Sequence, residues 1–329
     1  MSKISLYKTL PFLCLLIGLS IVLYYSGRFT NSKSTKVNND VEAKANNAYI
    51  MVLGTAQDGG FPQTGCQKNC CSEAWKNKEL SKKISSLAII DPKSKEQWII
   101  DATPDIKEQL NDLKNQTNLT NLDGIFLTHA HIGHYLGLAQ LGREVLGVQN
   151  LPVFCMKRMY NFLSKNGPWD QLVKLQNIKL NKIFHSEKII LNDRLSITPF
   201  LVPHRDEYSE TVGYEISSKT KKIIFIPDID KWNLWDKDIV SIIKEIDYAF
   251  IDGTFYKNGE LDRDMSQIPH PFINESMQLF KDLSVENKNK IFFTHFNHTN
   301  PLLIQNSKEQ LELISKGYNF ATDKLIIDL

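Results

Sequence analysis

Short runs of β-branched and aromatic residues recur along the chain, and they constrain its fold more than any other feature. Each run is bounded by turn residues, which is typical of β-strands. The runs occupy residues 49–54, 86–91, 97–101, 124–129, 152–155, 223–228, 248–253 and 291–295. Helices are predicted over residues 104–113, 136–146, 157–165, 239–245 and 274–283. This order of strands and helices predicts an α/β fold, an αβ/βα sandwich of two sheets with helices outside.

Aspartate or histidine stands at the carboxyl end of several predicted strands. The positions are Asp101, His129, Asp228, Asp252 and His295. Strand ends lead into loops, where a rigid scaffold presents the side chains that bind or react. We therefore expect these side chains to converge on one edge of the sheets.

The stretch HAHIGH places three histidines, His129, His131 and His134, at the end of one predicted strand. Imidazoles crowded on a short loop are costly to desolvate unless something binds them. On an extended segment a two-residue step puts two side chains on the same side, and a turn brings the third alongside. Because neutral imidazole is a good ligand for zinc, iron or copper, the stretch predicts a metal site.

Length and charge narrow the class of protein. A chain of 329 residues can bury a substantial core in one or two domains. Its formal net charge is +2, and the sequence has no basic stripe or long basic run. A nucleic-acid partner is therefore not expected.

The N-terminal region differs in kind from the rest. Two lysines precede an apolar run over residues 10–25, which suits either a secretory signal or a short membrane span. We favour an uncleaved anchor over residues 1–28. Residues 29–47 are rich in Ser, Asn and Lys and predict a flexible tether, so the folded domain is expected over residues 48–329. This interpretation predicts an exported, periplasmic or otherwise extracytoplasmic protein, anchored in the membrane by residues 10–25.

Later landmarks complete a pattern that resembles the metallo-β-lactamase fold hydrolases. Their signature is H-x-H-x-D-H after a strand, and HAHIGH follows it at every position but one. The resemblance implies that Asp228 bridges two metals and that Asp101 orients a ligand imidazole, which makes both of them catalytic candidates. The implied metal ligands are His129, His131, His134, His204, Asp228 and His295.

A closer resemblance is to the pyrroloquinoline quinone biosynthesis B family. It covers nearly all of the chain from residue 49 and rests on blocks in the same order: VLGTAQDGGFPQTGC, DATPDIKEQL, FIDGTF, THFNHTNPLL and ATDKLIIDL. The histidine motif of that family is usually degraded, whereas this chain keeps most of the hydrolase ligands. The family is linked to iron-dependent hydroxylation of a tyrosine-derived peptide, which leaves an oxygenase as an alternative function.

Gly133 stands where the superfamily motif has an aspartate. By the resemblance, this aspartate would be a ligand of the second metal, together with His134 and His295. We therefore expect one tightly bound zinc and a second, weaker one, with iron or manganese as alternatives. On this interpretation, Gly133→Asp should raise the occupancy of the second position.

A cysteine-rich segment, GCQKNCCSEAW, suggests another metal site. Relatives carry a C-x-C-x-x-C run that can hold a structural zinc together with a histidine. Here the corresponding ligands would be Cys66, Cys70 and Cys71 with His270. In an exported protein the alternative is a disulfide that involves Cys66, while Cys155 is expected to be a core residue.

The predicted chemistry follows from the metal. A metal-bound water has a pKa lowered towards ~7, and the resulting hydroxide attacks an ester, lactone, amide or phosphodiester. The partner is then a small-molecule substrate. The alternatives are the iron-dependent hydroxylase and a non-catalytic metal-binding relative in which Gly133 marks decay of the site.

Overall fold

The structure is a computed structural model and describes residues 47–329. Residues Ala48–Leu329 form one compact unit. The strands are β1 (Tyr49–Gly54), β2 (Ser86–Asp91), β3 (Glu96–Ile100), β4 (Gly124–Phe126), β5 (Leu151–Cys155), β6 (Ile178–Lys182), β7 (Ile189–Ile190), β8 (Ser196–Leu201), β9 (Val212–Ser217), β10 (Lys222–Ile226), β11 (Tyr248–Asp252), β12 (Ile291–Thr294), β13 (Asn319–Phe320) and β14 (Ile326–Asp328).

The helices are short and lie between strands. They are α1 (Asn69–Lys76), α2 (Ile106–Thr117), α3 (Ile132–Tyr135), α4 (Lys157–Lys165), α5 (Trp169–Lys174), α6 (Ile239–Glu245), α7 (Ile273–Leu279), α8 (Val285–Lys288) and α9 (Lys308–Ser315). Single 3₁₀ segments span Lys78–Leu80, Leu136–Leu141, Trp232–Leu234 and Pro301–Leu303.

Two sheets of seven strands each account for the strands of the described residues. The first has the order β14-β1-β2-β3-β4-β5-β6, and the second has the order β13-β12-β11-β10-β9-β8-β7. In the first sheet β3 to β6 run parallel, and in the second sheet β10 to β13 run parallel. The remaining pairings are antiparallel, so both sheets are mixed.

Three hydrophobic cores hold the layers together. The central core contains Phe126 of the first sheet and Tyr214 of the second, with ring centroids 5.8 Å apart. A second core packs α2 on the outer face of the first sheet, through Ile106 and Leu113. A third packs α6 and α7 on the outer face of the second sheet. Each sheet is therefore covered by helices on one face and by the other sheet on the opposite face, and the predicted αβ/βα sandwich is confirmed.

Most predicted elements are present, and the differences have local causes. The eight predicted strands correspond to β1–β5 and β10–β12. The prediction omitted β8, which includes Pro199, because proline weakens the pattern of an interior strand. The helix predicted over residues 136–146 is wrong: a 3₁₀ segment ends at Leu141. Gly137 lets this segment lie against the loop after β3, since a Cβ there would be 2.1 Å from the Thr103 carbonyl oxygen.

The expectation of a membrane anchor needs correction. Over residues 47–329, no helix has both the length and the apolar character needed to cross a bilayer. This finding is against the prediction of an exported, membrane-anchored protein. The predicted anchor at residues 10–25 and most of the predicted tether lie outside the described residues.

Candidate metal centre

The parallel strands of both sheets end at the same edge of the sandwich, and their ends carry the candidate ligands. Asp101 follows β3 and His129 lies just after β4. In the second sheet, Asp228 follows β10 and His295 follows β12. The carboxyl ends of neighbouring parallel strands lie side by side, which is why residues far apart in the sequence meet here. The predicted convergence is present.

Two groups of potential ligand atoms share the Asp228 carboxylate. The first consists of His129, His131, His204 and Asp228, and the second of Asp58, His134, Asp228 and His295. Within each group the ligand atoms all lie within 4.8 Å of one another. The structure thus brings together all six residues predicted as metal ligands, and it adds Asp58.

The spacing of these atoms fits a metal of zinc's size. Nε2 of His129, His134 and His295 each lies 3.3 Å from Asp228 Oδ2. His204 Nε2 lies 3.4 Å from Asp228 Oδ1. A tetrahedral zinc with bonds of about 2.0–2.2 Å separates its ligand atoms by roughly 3.3–3.5 Å. The protein atoms alone already have this arrangement.

Unsatisfied polar atoms give an independent test of the fit. Six buried atoms around Asp228 have no hydrogen-bond partner among residues 47–329: Asp58 Oδ1, Asp228 Oδ1, and Nε2 of His129, His134, His204 and His295. Buried polar atoms are rarely left unpaired, because desolvation without a partner is costly. Two cations, one in each group of ligand atoms, would satisfy all six atoms, so the residues fit a metal pair.

The opposite ring nitrogen of these histidines is held by an oxygen. His134 Nδ1 donates to Asp101 Oδ2 at 2.7 Å, and His204 Nδ1 lies 3.0 Å from Asp230 Oδ1. His295 Nδ1 lies 3.0 Å from Thr254 Oγ1. A partner on Nδ1 fixes the ring and leaves Nε2 to bind a metal. The role expected for Asp101, which orients a ligand imidazole, matches this geometry, whereas Asp230 was not predicted.

The backbone at the site is strained at two strand ends. Asp101 has φ of 70° and His295 has φ of 63°, in the left-handed region that residues other than glycine rarely adopt. Asp101 is held there by its own carboxylate, which accepts hydrogen bonds from Thr128 N at 2.8 Å and from the Thr128 hydroxyl. Such strain is concentrated at functional sites, where surrounding contacts maintain it.

Asp58 is the residue that the sequence interpretation missed. It follows β1, and its Oδ1 lies 3.3 Å from His134 Nε2. A Cβ on Gly133 would lie 2.1 Å from Asp58 Oδ1, so the space beside His134 is already filled by a carboxylate. The premise for a weaker second metal, a missing carboxylate, does not hold in the structure, and a side chain in Gly133→Asp would meet Asp58 before it could reach a metal. Extending the strand-end rule to β1 would have identified Asp58.

His270 belongs to this centre and not to the cysteines, which corrects the prediction. Its Nδ1 donates to Asp252 Oδ2 at 2.8 Å and lies 3.2 Å from Asp228 Oδ1. Burial lowers the pKa of His270, but the Asp252 and Asp228 carboxylates more than offset this and raise it to about 9. In the absence of a bound metal, His270 therefore favours the imidazolium form at neutral pH.

The cysteine cluster is completed by His298 in the place expected for His270. Cys66 Sγ lies 3.7 Å from Cys70 Sγ, and His298 Nδ1 lies 3.5 and 3.4 Å from Sγ of Cys70 and Cys71. A tetrahedral zinc with Zn–S bonds of about 2.3 Å separates two sulfurs by roughly 3.8 Å. The four described cysteines are all free, so no two of them form the disulfide considered as the alternative at Cys66. Cys155 is buried in the core, as predicted.

Two cavities reach the centre on either side of the segment that carries Asp58. One of about 1570 Å³ contains Asp58 and Ile132 in its lining. The other, of about 620 Å³, is lined by His270 and by two arginines, Arg205 and Arg263. A small molecule can therefore approach the candidate metal pair past an imidazolium and two guanidinium groups.

Comparisons with known proteins agree with the fold and the motif. The sequence model of the beta-lactamase superfamily domain matches residues 97–296. The coenzyme PQQ synthesis protein B of Methylorubrum extorquens (strain PA1) is 26% identical over 310 residues, which cover 85% of this chain and 100% of that protein.

Solved structures share the architecture. Zinc-bound PqqB from Methylobacterium extorquens superposes with a TM-score of 0.70 at 24% identity, over 85% of this chain and 100% of that one. A diphosphatase of the PhnP family gives a TM-score of 0.61 at 21% identity, over 86% and 97% of the two chains. At these identities the likeness supports the fold alone.

Proposed function

The chain belongs to the beta-lactamase superfamily, and we propose that it is a metal-dependent hydrolase of small anionic esters. The observation that carries this proposal is the set of six buried, unpaired nitrogen and oxygen atoms around Asp228, counted among residues 47–329. A packed core would not keep so many unpaired polar atoms in one place. A binding site for cations explains all of them.

We assign the ligands to two metals that share Asp228. His129, His131 and His204 would hold the first metal. Asp58, His134 and His295 would hold the second. A metal bound there lowers the pKa of a coordinated water and polarises the bond to be cleaved. Burial raises the pKa of Asp228, but the surrounding imidazoles, led by His295 and His204, more than offset this effect. The net pKa lies well below its ordinary value, so Asp228 stays an anion.

His270 is suited to handle a proton and negative charge beside the metals. Asp252 holds its Nδ1 and keeps the ring protonated. It lines the same cavity as Arg205 and Arg263. Lys68, Asp262 and Asp264 also line this cavity. With four cationic groups against two carboxylates, its lining favours a substrate with negative charge, such as a phosphodiester or a carboxylate-bearing ester. An imidazolium can also donate a proton to a departing alkoxide.

The test begins with metal identification. The protein is purified without added metal, its metal content is measured by elemental analysis, and hydrolysis of paired anionic and neutral esters, lactones and phosphodiesters is assayed. We expect up to two metals at the Asp228 centre and faster hydrolysis of the anionic member of each pair. A metal-loaded protein that is inactive on the whole panel would contradict the proposed activity.

His131→Ala tests the first metal position. We expect loss of most of the first metal and a fall in hydrolysis of at least about 100-fold, because even an outer residue that supports a ligand is worth about 10–100-fold. His185→Ala is the matched control, since His185 is an exposed histidine outside both groups of ligand atoms. Undiminished metal content in His131→Ala would refute the assignment.

A second candidate function is a role in coenzyme PQQ synthesis. It is favoured by the similarity to the coenzyme PQQ synthesis protein B over the whole length of that protein. The reaction separates the two candidates, because the solved PqqB structure is itself zinc-bound and zinc alone would fit both. Iron in the purified protein, with oxygen consumption and no hydrolysis, would favour the synthesis role.

We also propose a structural zinc at the cysteine cluster. Cys66, Cys70, Cys71 and His298 supply four ligand atoms, which closes a tetrahedral site and leaves no open position for substrate. Burial raises the pKa of Cys71 to about 12, so this thiol would release its proton only on binding a metal.

A further inference from the structure

We infer that Asp58 and Gly133 form a matched pair, in which a carboxylate from a distant segment replaces the motif aspartate as a ligand of the second metal. Asp58 lies 75 residues before Gly133 in the chain. The inference rests on the metal pair of the proposed function but not on any particular reaction. It assigns to Asp58 a role that the histidine motif alone would deny to this chain.

The first support is the position of the carboxylate. Asp58 Oδ1 is buried, lies 3.3 Å from His134 Nε2, and has no hydrogen-bond partner among the described residues. Its group of ligand atoms also includes His295 and Asp228. A buried carboxylate oxygen without a hydrogen-bond partner, grouped with the unpaired Nε2 atoms of His134 and His295, has the surroundings of a metal ligand.

The second support is steric. A Cβ at position 133 would lie 2.1 Å from Asp58 Oδ1, 2.7 Å from its Cα and 2.9 Å from its Cγ. The φ angle of Gly133 is not in the left-handed region, so its backbone does not itself require glycine. The three heavy atoms nearest to such a Cβ all belong to Asp58, so the position of Asp58 requires a residue without a side chain at 133. A side chain at position 133 and the present position of Asp58 are mutually exclusive.

The third support is the way in which the Asp58 segment is fixed. Gln57 N donates to the Phe296 carbonyl oxygen at 2.8 Å, and Phe296 N donates to the Thr55 carbonyl oxygen at 2.7 Å. These bonds join the Asp58 segment to the residue next to His295. The carboxylate is thus positioned by the same strand end that supplies another ligand, which keeps the distance between the two ligands short and constant.

The arrangement has a consequence for substrate binding. Residues 57–60 line the larger cavity, and Gln57 also lines the smaller one. A cation in the second position would therefore tie down the wall that separates the two cavities. Occupancy of the second metal should reduce amide hydrogen exchange over residues 55–62.

The experiment measures metal binding and not turnover. Asp58→Ala and the isosteric Asp58→Asn are titrated with zinc after complete removal of metal, together with the wild type. We expect the dissociation constant of the second metal to rise by about 100-fold or more, and by less for Asn than for Ala, with the first metal unchanged. Glu108→Gln is the matched control, because Glu108 lines the same cavity and is absent from every group of ligand atoms.

Gly133→Ala tests the pairing without touching the carboxylate. The new methyl group should displace Asp58 and weaken the second metal as Asp58→Ala does, and the double variant should lose no more than Asp58→Ala alone. Zinc should slow amide exchange over residues 55–62 in the wild type but not in Asp58→Ala. An unchanged affinity for the second metal of the Asp228 centre in Asp58→Ala, with the first metal and the cysteine zinc also bound, would overturn the inference. Loss of hydrolysis with this metal pattern intact would contradict only the proposed function.

Discussion

At the residue scale, the histidines around Asp228 differ from ordinary buried histidines in how their two ring nitrogens are used. His134 Nδ1 contacts the Asp101 carboxylate, and His204 Nδ1 contacts the Asp230 carboxylate. The Nε2 atom of each ring has no hydrogen-bond partner among the described residues. A histidine that served packing alone would pair both nitrogens or expose one to water. The carboxylates behind the rings therefore belong to the function of the site as much as the rings do.

Asp230→Ala tests this conclusion for the first metal. Because Asp230 fixes the orientation of His204, its loss should lower the affinity for the first metal by about 10–100-fold. Asp230→Asn keeps a hydrogen-bond acceptor, so its affinity should lie between those of the wild type and Asp230→Ala. The measurement is a competitive zinc titration. Asp236→Ala, an exposed aspartate on the same stretch of chain, should leave the affinity unchanged. An unaltered affinity in Asp230→Ala would show that His204 needs no such support.

At the element scale, the site is a property of strand ends. β1, β3, β4, β10 and β12 each deliver a functional side chain within a few residues of their carboxyl end. Sheet pairing fixes the ends of these strands relative to one another, so only the short loops beyond them need special conformations. The cysteine cluster works differently, because it joins α1 to the segment that follows β12.

Cys71→Ala tests the contribution of that cluster. The variant should contain one zinc fewer per chain and unfold at a lower temperature, because α1 then loses its link to His298. Zinc content and thermal unfolding are the two measurements. Cys155→Ala is the control, since this buried cysteine is outside the cluster and should keep the full zinc content. Equal zinc content in the two variants would contradict a zinc site at the cysteines.

At the scale of the whole molecule, the candidate metal pair lies between the two sheets. His129, His131 and His134 follow a strand of the first sheet, whereas Asp228 and His295 follow strands of the second. Metals held by both sets would link the sheets at one edge, in addition to the central core that Phe126 and Tyr214 share. Metal binding should then stabilise the entire domain and not only the loops.

Chelation tests this link. A ligand that binds only the folded state at 100 times its dissociation constant adds about 2.7 kcal/mol per site, so metal removal should lower the unfolding temperature by several degrees. Asp228→Ala keeps the cysteine cluster but lacks the shared carboxylate, so chelation should affect its unfolding less. Equal shifts in the wild type and Asp228→Ala would locate the whole stabilising effect at the cysteines.

The architecture and most of the metal centre could be predicted before the folded structure was known. The spacing of short apolar runs predicted the layered sandwich, and HAHIGH predicted a metal site. The resemblance to the metallo-β-lactamase fold hydrolases implied the six ligand residues that the structure brings together. The first two inferences rest on local pattern. A strand of five residues has few alternatives for the direction in which its carboxyl end points, and clustered histidines have few uses other than metal binding.

The distant residues that complete each site became apparent only from the packing of the folded chain. This packing placed His270 at the Asp228 centre and His298 at the cysteine cluster, and it placed Asp58 in the space beside Gly133. Local pattern does not encode such pairings, because they depend on how loops from separate strands pack within a few ångströms of one another. In the sequence, Gly133 indicates a missing ligand. In the folded protein, the absence of its side chain leaves room for the carboxylate of Asp58.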